Sequence, residues 1–256
     1  MCDFLATKSG HNHPRDADIE FFEGPHIYTV KGKTGYTSVT TFIKGLFEKF
    51  DSDVIISKMM SGKNWNANNK YWGMTADEIK AKWNMNGKSA SEAGTKMHED
   101  IEYFYNGAER ENNSVEYSYF MNFVKDHPDL EPYRTEWMVW DSSLMFAGSI
   151  DFLAKVDGKY VIYDWKRCKK IEKTSGWNKS CLDKDLDYIP DTNFWHYSIQ
   201  LNIYKYILEK NYDILIDDMY LVCLHPENVP ANYIKLKVPL MKDEIDVLMK
   251  KRTESL

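Results

Sequence analysis

Asp151, Asp164 and Lys166 interrupt the stretch GSIDFLAKVDGKYVIYDWKRCKK (residues 148–170), which otherwise reads as two apolar strands meeting at Asp157-Gly158. Asp-Gly between alternating runs is a strong hairpin signal and sets the register. With those two residues in the turn, Val156 stands opposite Lys159, Asp151 opposite Asp164, and Ser149 opposite Lys166. Side chains alternate along a strand, so Asp164 and Lys166 share a face. Like charges set opposite each other destabilise a strand pair, yet their Cβ atoms lie only about 4.5–5.5 Å apart, close enough to share one cation. Mg²⁺ suits such a pair, since it takes one or two carboxylates and fills its other positions with water and phosphate oxygens. A solvated hairpin face is the plain alternative, surface carboxylates being common.

A second group lies on SASEAGTKMHEDIEYFYNG, where His98 and Glu102 are four residues apart and project from one side of a helix. Met97, Ile101, Phe104 and Tyr105 give that helix an apolar face, Ser89 or Ser91 can cap it, and Gly107 lies just past its end. A lone histidine on an amphipathic helix is more often structural than a ligand. Joined to two aspartates and a lysine, it completes a set suited to metal-assisted phosphodiester hydrolysis. Carboxylates and an imidazole hold a cation that lowers the pKa of a bound water. A neighbouring ammonium orients the attacking water and stabilises charge on the phosphorus. Other hydrolase signatures, G-x-S-x-G, H-E-x-x-H and a glycine-rich phosphate loop, are absent.

The elements that must position these residues follow from periodicity. A strand pair around Lys31-Gly32 and a helix from Val39, capped by Ser38 or Thr40, are expected first. Residues 54–92 read as helices broken near Gly62, Gly73 and Gly87. After the His98 helix and a loop through Pro128 and Pro132 come the strand TEWMVWD and the hairpin. WHYSIQLNIYKYILEKNY is a second strong helix, DDMYLVCLHP a strand and MKDEIDVLMKKR a closing helix. That order implies an α/β domain with a mixed central sheet.

The 256 residues, 43% hydrophobic and 28% charged, suffice for one substantial core and exclude a disordered or fibrous chain. No apolar run reaches the length of a membrane span, and the start lacks the apolar segment of a signal peptide. The four cysteines, Cys2, Cys168, Cys181 and Cys223, show no paired spacing, which points to a reducing intracellular compartment, without disulfides or zinc. Net charge is −6 but uneven: residues 31–98 carry 11 lysines and 6 acids, and residues 155–184 carry 9 basic and 4 acidic residues. The stretch 99–154 between them has 3 basic and 12 acidic residues. Basic segments flanking an acidic one suit a metal site with phosphate-binding walls, in which Arg167 and Lys170 would contact phosphates. Lys70 and Trp72 stand in a lysine- and tryptophan-rich segment (58–88) suited to guiding a single strand of DNA.

The run GTKMHEDIE … AGSIDFLA … YDWKRCKK … YSIQLNIYKYIL, over about residues 94–210, resembles the PD-(D/E)XK nuclease superfamily in its RecB-like and viral or phage exonuclease branch. YTSVTTFI is similar to a Ser-Val-Thr element near the start of such chains. The resemblance implies a restriction-endonuclease-like core with a central mixed β-sheet flanked by helices and an N-terminal helical insertion. It divides the chain into an arm (1–20), a strand pair with a helical DNA-guiding region (21–93) and the nuclease core (94–256). It implies Mg²⁺ or Mn²⁺ held by His98, Asp151, Asp164 and the Trp165 carbonyl, with Lys166 as the catalytic lysine. Gln200 and Tyr204 would support the site and the DNA strand, with Ser149 beside them and Glu102 behind His98; Glu136 is a weaker candidate. Ile150-Asp151 replaces the usual proline-aspartate. Only Cys223 follows the Gln200 helix, so no iron–sulfur cluster is expected. The activity implied is a metal-dependent deoxyribonuclease, an exonuclease on single strands or duplex ends leaving 5′-phosphates, in viral replication, recombination or repair. The alternatives are a non-catalytic DNA-binding module of a recombination or replication complex and an RNA endonuclease of the cap-snatching type.

Overall fold

The computed structural model describes residues 10–108, 110–176 and 178–256, so Cys2 lies outside the described residues. The chain divides into two compact units, one of residues 49–96 and one comprising the rest. The division runs elsewhere than the expected boundaries at 20 and 93, because the N-terminal strands pack into the larger unit. There β1 (Ile19–Phe22) and β2 (Ile27–Val30) form an antiparallel pair. Ile19, Tyr28 and Val30 bury against Trp140 and Ala147. The pair turns through residues 23–26, one turn earlier than expected. Lys31-Gly32 makes a second tight turn that bridges Val30 to Lys33, both residues at positive φ. Residues of the expected loose arm are fastened too. The Asp16 carboxylate accepts from Arg134 Nη1 at 2.7 Å and Trp137 Nε1 at 2.8 Å.

Ser38 ends the two-residue strand β3 (Thr37–Ser38) and caps α1 (Val39–Gly45), its hydroxyl accepting from the Thr41 N–H at 3.1 Å. In the smaller unit, Asp51 caps α2 (Ser52–Met60). A capping box follows, in which the Thr75 N–H donates to Glu78 Oε2 at 2.7 Å and the Glu78 N–H to Thr75 Oγ1 at 3.3 Å. This box starts α3 (Ala76–Tyr105), which continues through Gly87, Ser89 and Ser91 without a break. A single internal glycine costs about 1 kcal/mol, too little to end a thirty-residue run of otherwise good helix formers. Helix α4 (Val115–Asp126), unread in the sequence, follows.

The sheet contains β4 (Glu131–Asp141), β5 (Phe146–Val156), β6 (Lys159–Lys166), β7 (Ile216–Cys223) and β8 (Ile234–Lys237). Strand β5 pairs antiparallel with β4 along one edge. Its other edge pairs with β3, parallel, at Phe146 and Ala147 and with β6, antiparallel, from Phe152 to Val156. β6 runs parallel to β7, and β8 closes the order. Asp157 (φ +52°) and Gly158 (φ +76°) form the expected turn, since a two-residue turn of this hand needs positive φ at both positions. Helices α1, α5 (Asn193–Asn211) and α6 (Lys242–Glu254) cover one face through Ile43, Ile199, Ile203, Leu208 and Leu248. The end of α3 and α4 cover the other through Met97, Ile101, Phe120 and Phe123. The fold is therefore α/β, a mixed multi-strand sheet flanked by helices. Among the described residues, no helix is long and apolar enough to cross a membrane.

Candidate active site

Strand β5 is unevenly paired, and the candidate residues gather where its pairing lapses. On the edge shared by β3 and β6 the ladders take Phe146–Ala147 and Phe152–Val156, which leaves residues 148–151 between them. The ladder to β6 ends at Phe152↔Tyr163, one rung short of the expected Asp151↔Asp164 pair and three short of Ser149↔Lys166. The Asp151 carboxylate takes over there, accepting the Trp165 N–H at 2.9 Å.

On the opposite edge, the register from Thr135↔Phe152 to Trp137↔Ile150 sets Glu136 across from Asp151. Glu136 has φ +43°, a left-handed conformation that a glutamate adopts only at a cost of about 1–2 kcal/mol. The turned backbone aims its carboxylate at His98, whose Nδ1 lies 3.1 Å from Glu136 Oε1 and 3.7 Å from Asp151 Oδ2. Ser149 Oγ donates to Glu136 Oε2 at 3.2 Å, so this serine orients a carboxylate of the group. The imidazole is anchored from behind, its Nε2 donating to the Trp165 carbonyl at 3.1 Å. Burial alone would favour the neutral ring, but the Asp151 and Glu136 carboxylates outweigh it and raise His98 to about 9.

His98, Glu136 and Asp151 each offer a ligand atom, and these atoms lie within 4.8 Å of one another. The three-ligand group therefore differs from the expected one. Glu136 stands in place of Asp164, and the Trp165 carbonyl holds the histidine. A histidine that presents one nitrogen to a metal and donates the other N–H to a backbone carbonyl is the common arrangement at such sites. The oxygen-rich donor set fits Mg²⁺ or Mn²⁺ better than a soft metal.

Asp164, 2% exposed, pairs instead with Lys166, whose Nζ lies 2.5 Å from Asp164 Oδ2. Burial, and then Asp151, push the Asp164 carboxyl up against the pull of Lys166. Burial works to neutralise Lys166, but the Asp164 and Asp151 carboxylates hold its ammonium protonated well above the usual lysine range. The ammonium also lies 4.7 Å from the ring centre of Tyr197 on α5, a neighbour that periodicity did not single out.

Gln200 and Tyr204 are buried beneath the site, with Gln200 Nε2 3.5 Å from Tyr204 Oη. The Tyr204 ring covers Gly148, where a Cβ would come within 2.7 Å of it. The pair thus supports the strand that carries Asp151 and offers DNA no surface. Glu102 is half-buried and outside the three-ligand group. Arg167 Nε is held by Glu116 Oε1 at 2.6 Å, on the helix the sequence did not reveal. Lys170 reaches Glu172 at 2.5 Å on the surface. Lys70 and Trp72 belong to the smaller unit, where Lys70 Nζ lies 4.6 Å from the Tyr71 ring centre and Trp72 is 51% exposed.

No protein-family model matches this chain, and no curated protein matches it. A solved structure titled "Crystal structure of SSO0001" aligns over 87% of this chain and 77% of its own, at 14% identity and a TM-score of 0.33.

Proposed function

We propose that the chain is a Mg²⁺- or Mn²⁺-dependent deoxyribonuclease with a restriction-endonuclease-like core of the PD-(D/E)XK type. The observation that carries this reading is the convergence of His98, Glu136 and Asp151 where the sheet parts, with the Asp164–Lys166 ion pair adjoining. His98, Glu136 and Asp151 would hold a divalent cation, whose chemistry when bound would be to make a water more acidic and to offset charge on the phosphorus. To join that group His98 would have to give up its Nδ1 proton, while its ring stays fixed through the Trp165 carbonyl. Lys166 stays charged through its carboxylate neighbours, as an ammonium that aligns the attacking water and stabilises a pentacoordinate phosphorus must. Hydrolysis of this kind, with water in line, leaves a 5′-phosphate and a 3′-hydroxyl.

The test uses end-labelled single- and double-stranded DNA with Mg²⁺, Mn²⁺ or EDTA. Cleavage is expected only with metal, and Lys166→Ala or Asp151→Asn, properly folded, should fall below about 1% of the wild-type rate. Metal-independent cleavage, or full activity in either variant, would defeat the reading. Labelled RNA in the same assay separates DNA from RNA preference.

A further inference from the structure

Just beyond the end of β6, Cys168 Sγ lies 3.8 Å from Cys223 Sγ, the last residue of β7. Cys223 is 2% exposed and donates to the Cys168 carbonyl at 3.0 Å, whereas Cys168 is partly open to solvent. Two sulfurs so placed suit either a soft metal or a disulfide. A structural zinc site needs four donors, and the group of three or more that the described residues assemble, His98 with Glu136 and Asp151, contains no sulfur. In the structure both cysteines are free thiols in hydrogen-bond contact, close enough to be joined by oxidation. The Cys168 S–H bonds to the Cys223 sulfur, which holds the Cys223 thiol below the usual thiol range and pushes the Cys168 thiol up, so the pair keeps one proton on Cys168 beside a Cys223 thiolate.

We propose that Cys168 and Cys223 form a reversible disulfide when a hydroperoxide reaches Cys168, and that this bond switches the neighbouring Lys166 out of its working position. Cys168 passes its proton to the Cys223 thiolate as its sulfur attacks one peroxide oxygen, the O–O bond breaks, and the departing oxygen leaves as water or alcohol after taking a proton from solvent. The Cys223 sulfur then displaces the sulfenic hydroxyl, which leaves as water. Two thiols lose two electrons and two protons, and the peroxide gains them. The link to the site is the backbone. Lys166 pairs in register with Cys223, and its carbonyl accepts the Leu224 N–H at 2.8 Å. Cys168 is two residues beyond. Closing the sulfurs from 3.8 Å to a bond of about 2.05 Å draws the chain after Lys166 toward β7.

The effect on cleavage rests on the nuclease reading, whereas the disulfide does not. Reduced full-length protein is titrated with hydrogen peroxide, quenched with an alkylating agent and digested without reductant. A peptide joining Cys168 to Cys223, reversed by dithiothreitol and missing from Cys168→Ser and Cys223→Ala, is the expected product. Buried Cys181 should remain alkylatable only after unfolding. Metal-dependent DNA cleavage should drop at least about tenfold on oxidation and return with reductant, while Cys168→Ser keeps its rate in peroxide. Absence of the joined peptide, sulfinic acid on Cys168 alone, or a disulfide that leaves cleavage unchanged would each overturn the switch. If the reduced protein cleaves no DNA, the nuclease reading fails, and the peptide map by itself decides whether the disulfide exists.

Discussion

Glu136 combines two unfavourable features: a left-handed backbone, and a carboxylate set against Asp151. Both are tolerable if a cation is the partner they are built for. Glu136→Gly should therefore keep or raise the melting temperature in EDTA, since it relieves about 1–2 kcal/mol of strain and one like-charge contact. The same variant should lose most of the rise that millimolar Mg²⁺ or Mn²⁺ gives the wild type, because a ligand stabilises only the state that binds it. A metal-induced shift of wild-type size in Glu136→Gly would remove this residue from the site. Asp151, Asp164, Lys166 and His98 were legible because residue type and spacing mark them. Glu136 was weakly marked because its importance lies in a dihedral and in a partner fifteen residues away. Asp141 offers a second test, on stability. It is 1% exposed and bonded to Lys210, Asn211, Ser143 and the Leu144 N–H. Burial works to raise its pKa, but these partners prevail and hold it down to about 2. That lies below the unfolded value of about 3.9, so its contribution is present above pH 4 and lost as pH falls toward 2. Asp141→Asn should cost about 2 kcal/mol at pH 7, with the gap to wild type closing across that acid window. Denaturant melts at pH 7 and pH 2.5 read it, and a gap constant with pH would contradict the assignment.

At the scale of elements, Gly148 and Tyr204 show how α5 and β5 fit together. The helix lies close enough that a methyl group at position 148 would meet the Tyr204 ring at 2.7 Å. Gly148→Ala should destabilise by about 1–3 kcal/mol, as overpacking does. Tyr204→Phe, which keeps the ring and loses only a 3.5 Å contact to Gln200, should cost less than about 1 kcal/mol. Combining Gly148→Ala with Tyr204→Leu should recover part of the loss, and strict additivity of the two would mean that they do not clash. The hairpin at Asp157-Gly158, the Ser38 cap and α5 were readable because local chemistry decides them: a turn that needs positive φ, a hydroxyl cap, a long apolar period. Helix α4 and strand β8 were not. The first buries Phe120 and Phe123 only through tertiary contact, and the second is four residues pairing at a sheet edge. The expected helix break near Gly87 and the expected cap at Ser89 or Ser91 failed for the converse reason, since the Thr75–Glu78 capping box starts one helix that passes through all three.

For the molecule as a whole, the smaller unit divides its aromatics between two tasks. Tyr71 is buried, and Trp83 donates to its hydroxyl at 2.8 Å, so these rings form that unit's own core with Ile56 and Ile79. Trp72, the aromatic that the sequence singled out, is half exposed, with its ring centre 5.6 Å from that of Trp65. An exposed indole offers a stacking surface worth about 1–3 kcal/mol per base, and a nearby lysine tracks the phosphates. If residues 49–96 guide a single strand, Trp72→Ala should raise the KM for single-stranded DNA about tenfold or more and leave the melting temperature within about 1 °C, since it removes no core contact. Lys70→Ala should lower the slope of log affinity against log salt by about 0.7, the value of one phosphate contact on a single strand. A threaded strand needs a free end, so circular single-stranded DNA should be cut far more slowly than linear. Equal rates on the two forms, with an unchanged KM in Trp72→Ala, would take the guiding role away from this unit.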